Sequence, residues 1–159
     1  MQQKSLNIYY EEYKTAEELN EADRILVEKA KEATKSAYAP YSKFNVGAAV
    51  LLDNGQIVTG SNQENAAYPS GLCAERVAIF YAQSLYPKAK VVSIAITASV
   101  NGEQCDTPTY PCGACRQVLS ETETRGGAPV KVIIAGKSLL QKVSDISSLL
   151  PFTFDNLPK

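Results

Sequence analysis

Val91-Val92-Ser93-Ile94-Ala95-Ile96-Thr97-Ala98-Ser99 carries no charged residue and shows no alternation of apolar with strongly polar side chains. A strand with one wet face alternates, whereas a strand covered on both faces does not need to. The run therefore predicts an interior strand with a packed layer on each side of its sheet. Val130 to Ala135 has the same character and predicts a second buried strand. Phe44–Leu52 and Gln56–Gly60 are strand-like runs separated by Asp53-Asn54-Gly55, a turn of the hairpin kind.

The covering layers are helices. Leu19, Ala22, Leu26, Ala30, Ala33 and Ala37 recur at helical spacing. Together with Thr15 and Glu18, placed as a capping box, they predict a helix from Thr15 to Tyr38 that ends before Pro40. Cys73 to Leu85 predicts a second helix, Cys112 to about Glu121 a third, and Val143 to Leu150 a short fourth that Pro151 stops. The order α-β-β-α-β-α-β-α describes an α/β fold in three α-β-α layers. Ser5 to Tyr13 is tyrosine-rich and carries weak order signals. The expectation is one domain over 1–159, with 1–14 as an extension and 151–159 as a tail.

A chain of 159 residues can bury a core of its own, and 45% apolar with 21% charged residues is ordinary usage for a globular protein. No apolar stretch approaches the roughly 18 residues that cross a bilayer, and Met1-Gln2-Gln3-Lys4 lacks a signal-peptide core, so a cytoplasmic protein is expected. Lys and Arg number 16 against 17 acids, with no basic cluster. That argues against nucleic acid and for a small ligand. Four cysteines in a reducing compartment point to metal or redox chemistry rather than disulfides. The chain has no histidine, which excludes histidine triads and mixed Cys/His metal sites; any zinc is held by thiolates or carboxylates.

The chemistry sits in Ser70-Gly71-Leu72-Cys73-Ala74-Glu75-Arg76 and Pro111-Cys112-Gly113-Ala114-Cys115-Arg116-Gln117. Each segment puts cysteine at a predicted helix start, where free N–H groups and the helix dipole favour thiolate. Cys112 and Cys115 share one side of the first turn and Cys73 supplies a third sulfur. Three protein ligands with a fourth position open describe a catalytic zinc; four describe a structural one. Glu75, two residues beyond Cys73, is placed to take a proton from an attacking water and pass it to a ring nitrogen. Arg76 and the two helix dipoles are sources of positive charge to offset three thiolates.

The pattern C-x-E with P-C-x-x-C is the three-cysteine form of a zinc-deaminase signature. Four longer strings extend the match: Tyr38 to Ala49, Gly60 to Asn65, Tyr68 to Arg76, and Pro111 to Gln117. Over about Ala30 to Leu150 the chain closely resembles the homotetrameric cytidine deaminase family. The resemblance implies a mixed five-stranded sheet and hydrolysis of cytidine and deoxycytidine to the uridine products and ammonia, with Zn2+ as the cofactor and no organic one. It also implies that Asn62 and Glu64 hold the ribose hydroxyls and that Phe44 packs on the pyrimidine. Backbone groups near Ala48 would read the base edge, and Phe154 would reach a neighbouring subunit's site. Tyr110 before Pro-Cys and Ala67 depart from the family pattern, and the first dozen residues and the Cys105 loop have no counterpart in it.

Plainer readings stand beside these. Cys112 and Cys115 alone could be a redox pair, and Cys105 could be a fourth ligand that closes the site into a zinc-stapled interaction module. Glu75 could be a helix-start acid, Arg76 a surface ion-pair partner and Phe44 a core residue. Asn62, Glu64 and Asn65 could be turn residues. Within the deaminases, a cytosine nucleoside antibiotic is an alternative substrate. Phe152 and Phe154 beyond the last helix suggest burial in an interface.

Overall fold

The structure is a computed structural model and describes residues 1–155. Its centre is a mixed sheet built on β2 (Phe44–Leu52), β3 (Ile57–Ser61), β4 (Val91–Val100), β6 (Lys131–Ala135) and β7 (Leu140–Val143). Two short strands, β1 (Glu11–Tyr13) and β5 (Glu103–Gln104), extend it to seven. The order is β1-β7-β6-β4-β2-β3, with β5 on the end of β4. β4 and β6 run parallel and every other pair is antiparallel.

β4 lies in the interior, as its composition predicts, because each of its faces meets a different core. Ile94 and Ile96 join Ala48, Val50, Val132 and Ile134 under α2 (Ala74–Leu85) and α3 (Gly113–Gly126). Ala95 joins Ala49, Ile133 and Ala135 under α1 (Glu21–Ala33). The one-residue alternation of a strand sends neighbours to opposite layers, which produces the three-layer α-β-α arrangement. Gly60 lets α2 lie against β3. A Cβ there would stand 2.5 Å from the Ala78 nitrogen and 2.8 Å from the Ala74 carbonyl oxygen.

Three expectations need correction. The predicted helix from Thr15 to Tyr38 is broken. A 3-10 turn spans Ala16–Glu18 without a Thr15 side-chain cap, and α1 starts afresh at Asn20, whose Oδ1 accepts from Asp23 N at 2.9 Å. Asn is the stronger N-cap. Asp23 is buried and receives Lys131 Nζ at 2.6 Å and Lys142 Nζ at 3.6 Å, so the helix start is held by the charges as well. In place of the predicted helix from Val143 to Leu150, Val143 ends β7 and a 3-10 turn spans Ile146–Ser148. Asp145 caps that turn and its carboxylate also takes the Ser147 hydroxyl, local bonds that compete with a longer helix. The extension before Thr15 contributes β1, which pairs with β7. No helix among the described residues is long and apolar enough to cross a membrane.

Candidate active site

Cys73 is the N-cap of α2 and Cys112 the N-cap of α3, both with extended backbone and neither capping its helix with the sulfur. The unpaired N–H groups of two helix starts therefore face one small volume. Cys115 enters it from the first turn of α3. The Sγ atoms of Cys73 and Cys112 are 3.8 Å apart, those of Cys112 and Cys115 are 3.5 Å apart, and all three lie within 4.8 Å of one another. Zinc with Zn–S bonds of about 2.3 Å in tetrahedral array sets sulfurs about 3.8 Å apart, so the donor set fits that ion. Cys105 lies outside the group, held in the β4–α3 connection by backbone bonds to Ala98 and Lys137. Three ligands, not four, is the arrangement of an open site.

The electrostatics of the three sulfurs suit a bound cation. Contact with the Cys115 sulfur, helped by Arg76 and Cys112, brings the Cys73 thiol down to about 5. The same contact, with burial and the nearby Glu75, drives the Cys115 thiol strongly upward. Three sulfurs this close cannot all ionise alone, whereas a divalent ion at their centre removes the conflict. Arg76 Nη2 lies 4.0 Å from the Cys73 sulfur, and its buried Nε has no hydrogen-bond partner among the described residues. Glu75, at the second position of α2, is 4% exposed. Burial above all, with the Cys73 charge, pushes its carboxyl above the usual range.

A cleft of about 550 Å³ opens from Cys73 and Arg76 and is lined further by Tyr41, Ser42, Asn62, Gln63, Glu64, Asn65, Tyr68, Gly71 and Leu72. Its wall is a stitched loop. Gln63 exchanges two backbone bonds with Leu72, at 2.9 Å each, while Tyr38 bonds Asn62 and Glu64 on the other side. The segment is thus extended, and Asn62 and Glu64 share one side of it.

Residues 20–127 match the model of the cytidine and deoxycytidylate deaminase zinc-binding region. The chain is 40% identical over 132 residues to a cytidine deaminase of Halalkalibacterium halodurans, covering 82% of this chain and 92% of that one. A cytidine deaminase of Mycobacterium tuberculosis is 39% identical over the same share of this chain and 89% of its own. Among solved structures, the cytidine deaminase of Burkholderia pseudomallei superposes with a TM-score of 0.66 at 37% identity, over 82% of this chain and 97% of that one. The chain belongs to the cytidine and deoxycytidylate deaminase family.

Within this deaminase the remaining residues singled out from the sequence are spread more widely. Asn62 lines the cleft but also clamps β2: its Oδ1 accepts from Val46 N at 2.8 Å and its Nδ2 donates to Phe44 O at 2.9 Å. Glu64 Oε2 accepts from the backbone nitrogens of Tyr41 and Ser42 at 2.9 and 3.2 Å. The Ser42 side chain, followed by these two N–H groups, holds its carboxyl below the usual range. Phe44 is half-buried at the start of β2 and outside the cleft lining. Ala48 is fully buried, its backbone in the ladders to Gly60 and Ile96. Phe154 is 71% exposed on the tail, where the Gln117 side chain bonds both its N and O.

Sequence reasoning missed Tyr41 and Tyr68, which meet edge to face at 6.2 Å at the cleft mouth. It also missed Arg116, whose Nε donates to Pro111 O at 2.8 Å and whose Nη1 donates to Leu149 O at 2.6 Å. An arginine directly after Cys115 was the available signal for that clamp on the ligand turn.

Proposed function

We propose that the protein hydrolyses the exocyclic amino group of cytidine and deoxycytidine, consuming one water and releasing ammonia and the uridine nucleoside. The observation that carries this is a three-sulfur cluster at two converging helix starts, beside a buried carboxylate and next to a nucleoside-sized cleft. Cys73, Cys112 and Cys115 would hold the zinc, which would supply Lewis acidity that makes a water nucleophilic near neutral pH. Glu75 accepts one proton of the water as its oxygen adds to C4 and delivers it to N3. It then takes the proton of the new C4 hydroxyl and passes it to the amine as the C4–N bond breaks and the C4 carbonyl forms. Its dry surroundings favour this work, because burial raises its carboxyl toward the working pH, where one group can both accept and donate a proton. Arg76, with Nη2 4.0 Å from the Cys73 sulfur, offsets thiolate charge.

Asn62 and Glu64 hold the sugar hydroxyls. The Asn62 amide spends one N–H and one lone pair on β2 and retains one of each for the ligand. Phe44 against the base and the backbone near Ala48 at its edge rest on the family resemblance. The protein acts in the cytoplasm as a homotetramer in which Phe154 reaches a neighbour's cleft. Support for self-association comes from Phe80, Tyr81 and Leu85, apolar side chains 46–56% exposed on α2, and from the exposed Phe152 and Phe154.

Ammonia release from cytidine, deoxycytidine and a cytosine nucleoside antibiotic, with zinc per chain measured alongside, tests the proposal. Turnover of the two natural nucleosides at one zinc per chain is expected. Turnover of the antibiotic alone would transfer the site to that substrate, and no turnover by the zinc-loaded protein would refute the reading.

A further inference from the structure

The segment before Thr15 lies outside residues 20–127, which match the family model, and Tyr110 lies within them, directly before Pro111-Cys112. The structure joins the segment and the tyrosine. β1 lies on the outer edge of β7, with Glu11 opposite Lys142, Glu12 opposite Gln141 and Tyr13 opposite Leu140. Lys142 fixes it there. Its Nζ is 2.9 Å from Glu11 and 3.6 Å from the buried Asp23, and it sits 5.1 Å above the Tyr13 ring.

On its other side the β6–β7 hairpin carries the segment that delivers Cys112. Lys137 N donates to Cys105 O at 2.8 Å and Ser138 N to Asp106 O at 3.1 Å. The two backbones touch at Gly136, where a Cβ would come within 2.4 Å of Asp106 O. Further along, the Tyr110 hydroxyl donates to Gln141 Oε1, and Gln141 Nε2 donates to Glu12 Oε2 at 2.7 Å. One amide thus ties the added strand to the residue two positions before a zinc ligand.

We propose that Glu12, Gln141 and Tyr110 form a brace through which β1 holds the Cys112 segment in its ligating position and slows the release of zinc. Tyr110 and Gln141 are positioning residues: they act through Cys112 and touch no reacting atom. The proposal rests on the zinc reading of the three-cysteine cluster. Its physical basis is that a ligand on a connection leaves the metal as often as that connection swings away, and each bond that pins the connection lowers the population of the open form.

The test uses the full zinc-loaded chain mixed with a chromogenic chelator, which reads metal release without substrate. Tyr110→Phe removes one hydroxyl and keeps the fold, and Gln141→Leu removes both links. Each is expected to speed release about fivefold, the scale of one hydrogen bond. The double variant should release no faster than Gln141→Leu, because the two changes cut the same link. Exchanging the two side chains, by Glu12→Gln with Gln141→Glu, preserves a donor facing an acceptor at both links and should restore the slow rate. A simple loss of packing would not be rescued in this way. Release from Tyr110→Phe at the wild-type rate, or release from the exchanged pair as fast as from Gln141→Leu, would overturn the brace. A chain that took up no zinc would instead overturn the metal reading, and the brace with it.

Discussion

Asn62→Ala separates the clamp on β2 that the structure shows from the sugar contact proposed for the same amide. The amide donates to Phe44 O and accepts from Val46 N, so the substitution strips two partners from β2 at the edge of the cleft. An unmet buried backbone group costs about 1–3 kcal/mol. Both groups are half-buried beside a water-accessible cleft, so the low end applies and the total is about 2 kcal/mol. In a chain of this size that lowers Tm by about 4–8 °C. In the proposed function the remaining N–H and lone pair serve the sugar, and losing one such bond to a neutral hydroxyl should raise KM for cytidine about two- to twelvefold. Thermal unfolding followed by circular dichroism and initial rates over a cytidine series measure the two effects on one preparation. A lowered Tm with an unchanged KM would refute the sugar contact, and a raised KM with an unchanged Tm would refute the clamp.

Cys73→Ser, Cys112→Ser and Cys115→Ser should each lose zinc and much stability, whereas Cys105→Ser should keep one zinc per chain by metal analysis. Gly60→Ala should destabilise by about 3 kcal/mol in denaturant unfolding, because the new methyl meets helix backbone that has no room to relax. For Glu11, the Tyr13 hydroxyl and then Lys142 hold the carboxyl below its usual value, so its contribution is present above about pH 4.3 and is lost as pH falls through the lowered value. Glu11→Gln should therefore be less stable than the wild type at pH 7 and equal to it at pH 2 in urea unfolding.

The elements that could be read from the sequence are those specified by their own residues. β2 spans the predicted Phe44–Leu52, and α2 begins one residue after Cys73 because the cysteine is its cap. The long apolar runs of β4 and β6 could be read for the same reason. β1 could not: Glu11-Glu12-Tyr13 has no strand pattern, and its partner begins at Leu140, on the far side of the chain. The break before α1 was hidden because Leu19 and Ala22 keep helical spacing across it, whereas the start after Asn20 is set by that residue's cap on Asp23 N and by the buried Asp23 with its two lysines.

At the site, the cysteines and Glu75 belong to two short motifs, and helix geometry does the rest. The Glu64 bonds to Tyr41 and Ser42 span 23 and 22 residues of chain, and the Arg116 bond to Leu149 spans 33, so local pattern could not announce them.

Glu75→Gln tests the central claim most directly. The amide matches the carboxylate in size within its buried setting, so fold and metal should survive while the proton carrier is lost. One zinc per chain with cytidine turnover reduced at least 10³-fold, the general acid–base range applied to a group used at more than one step, is the expected result. One zinc per chain with turnover near the wild-type rate would contradict the account.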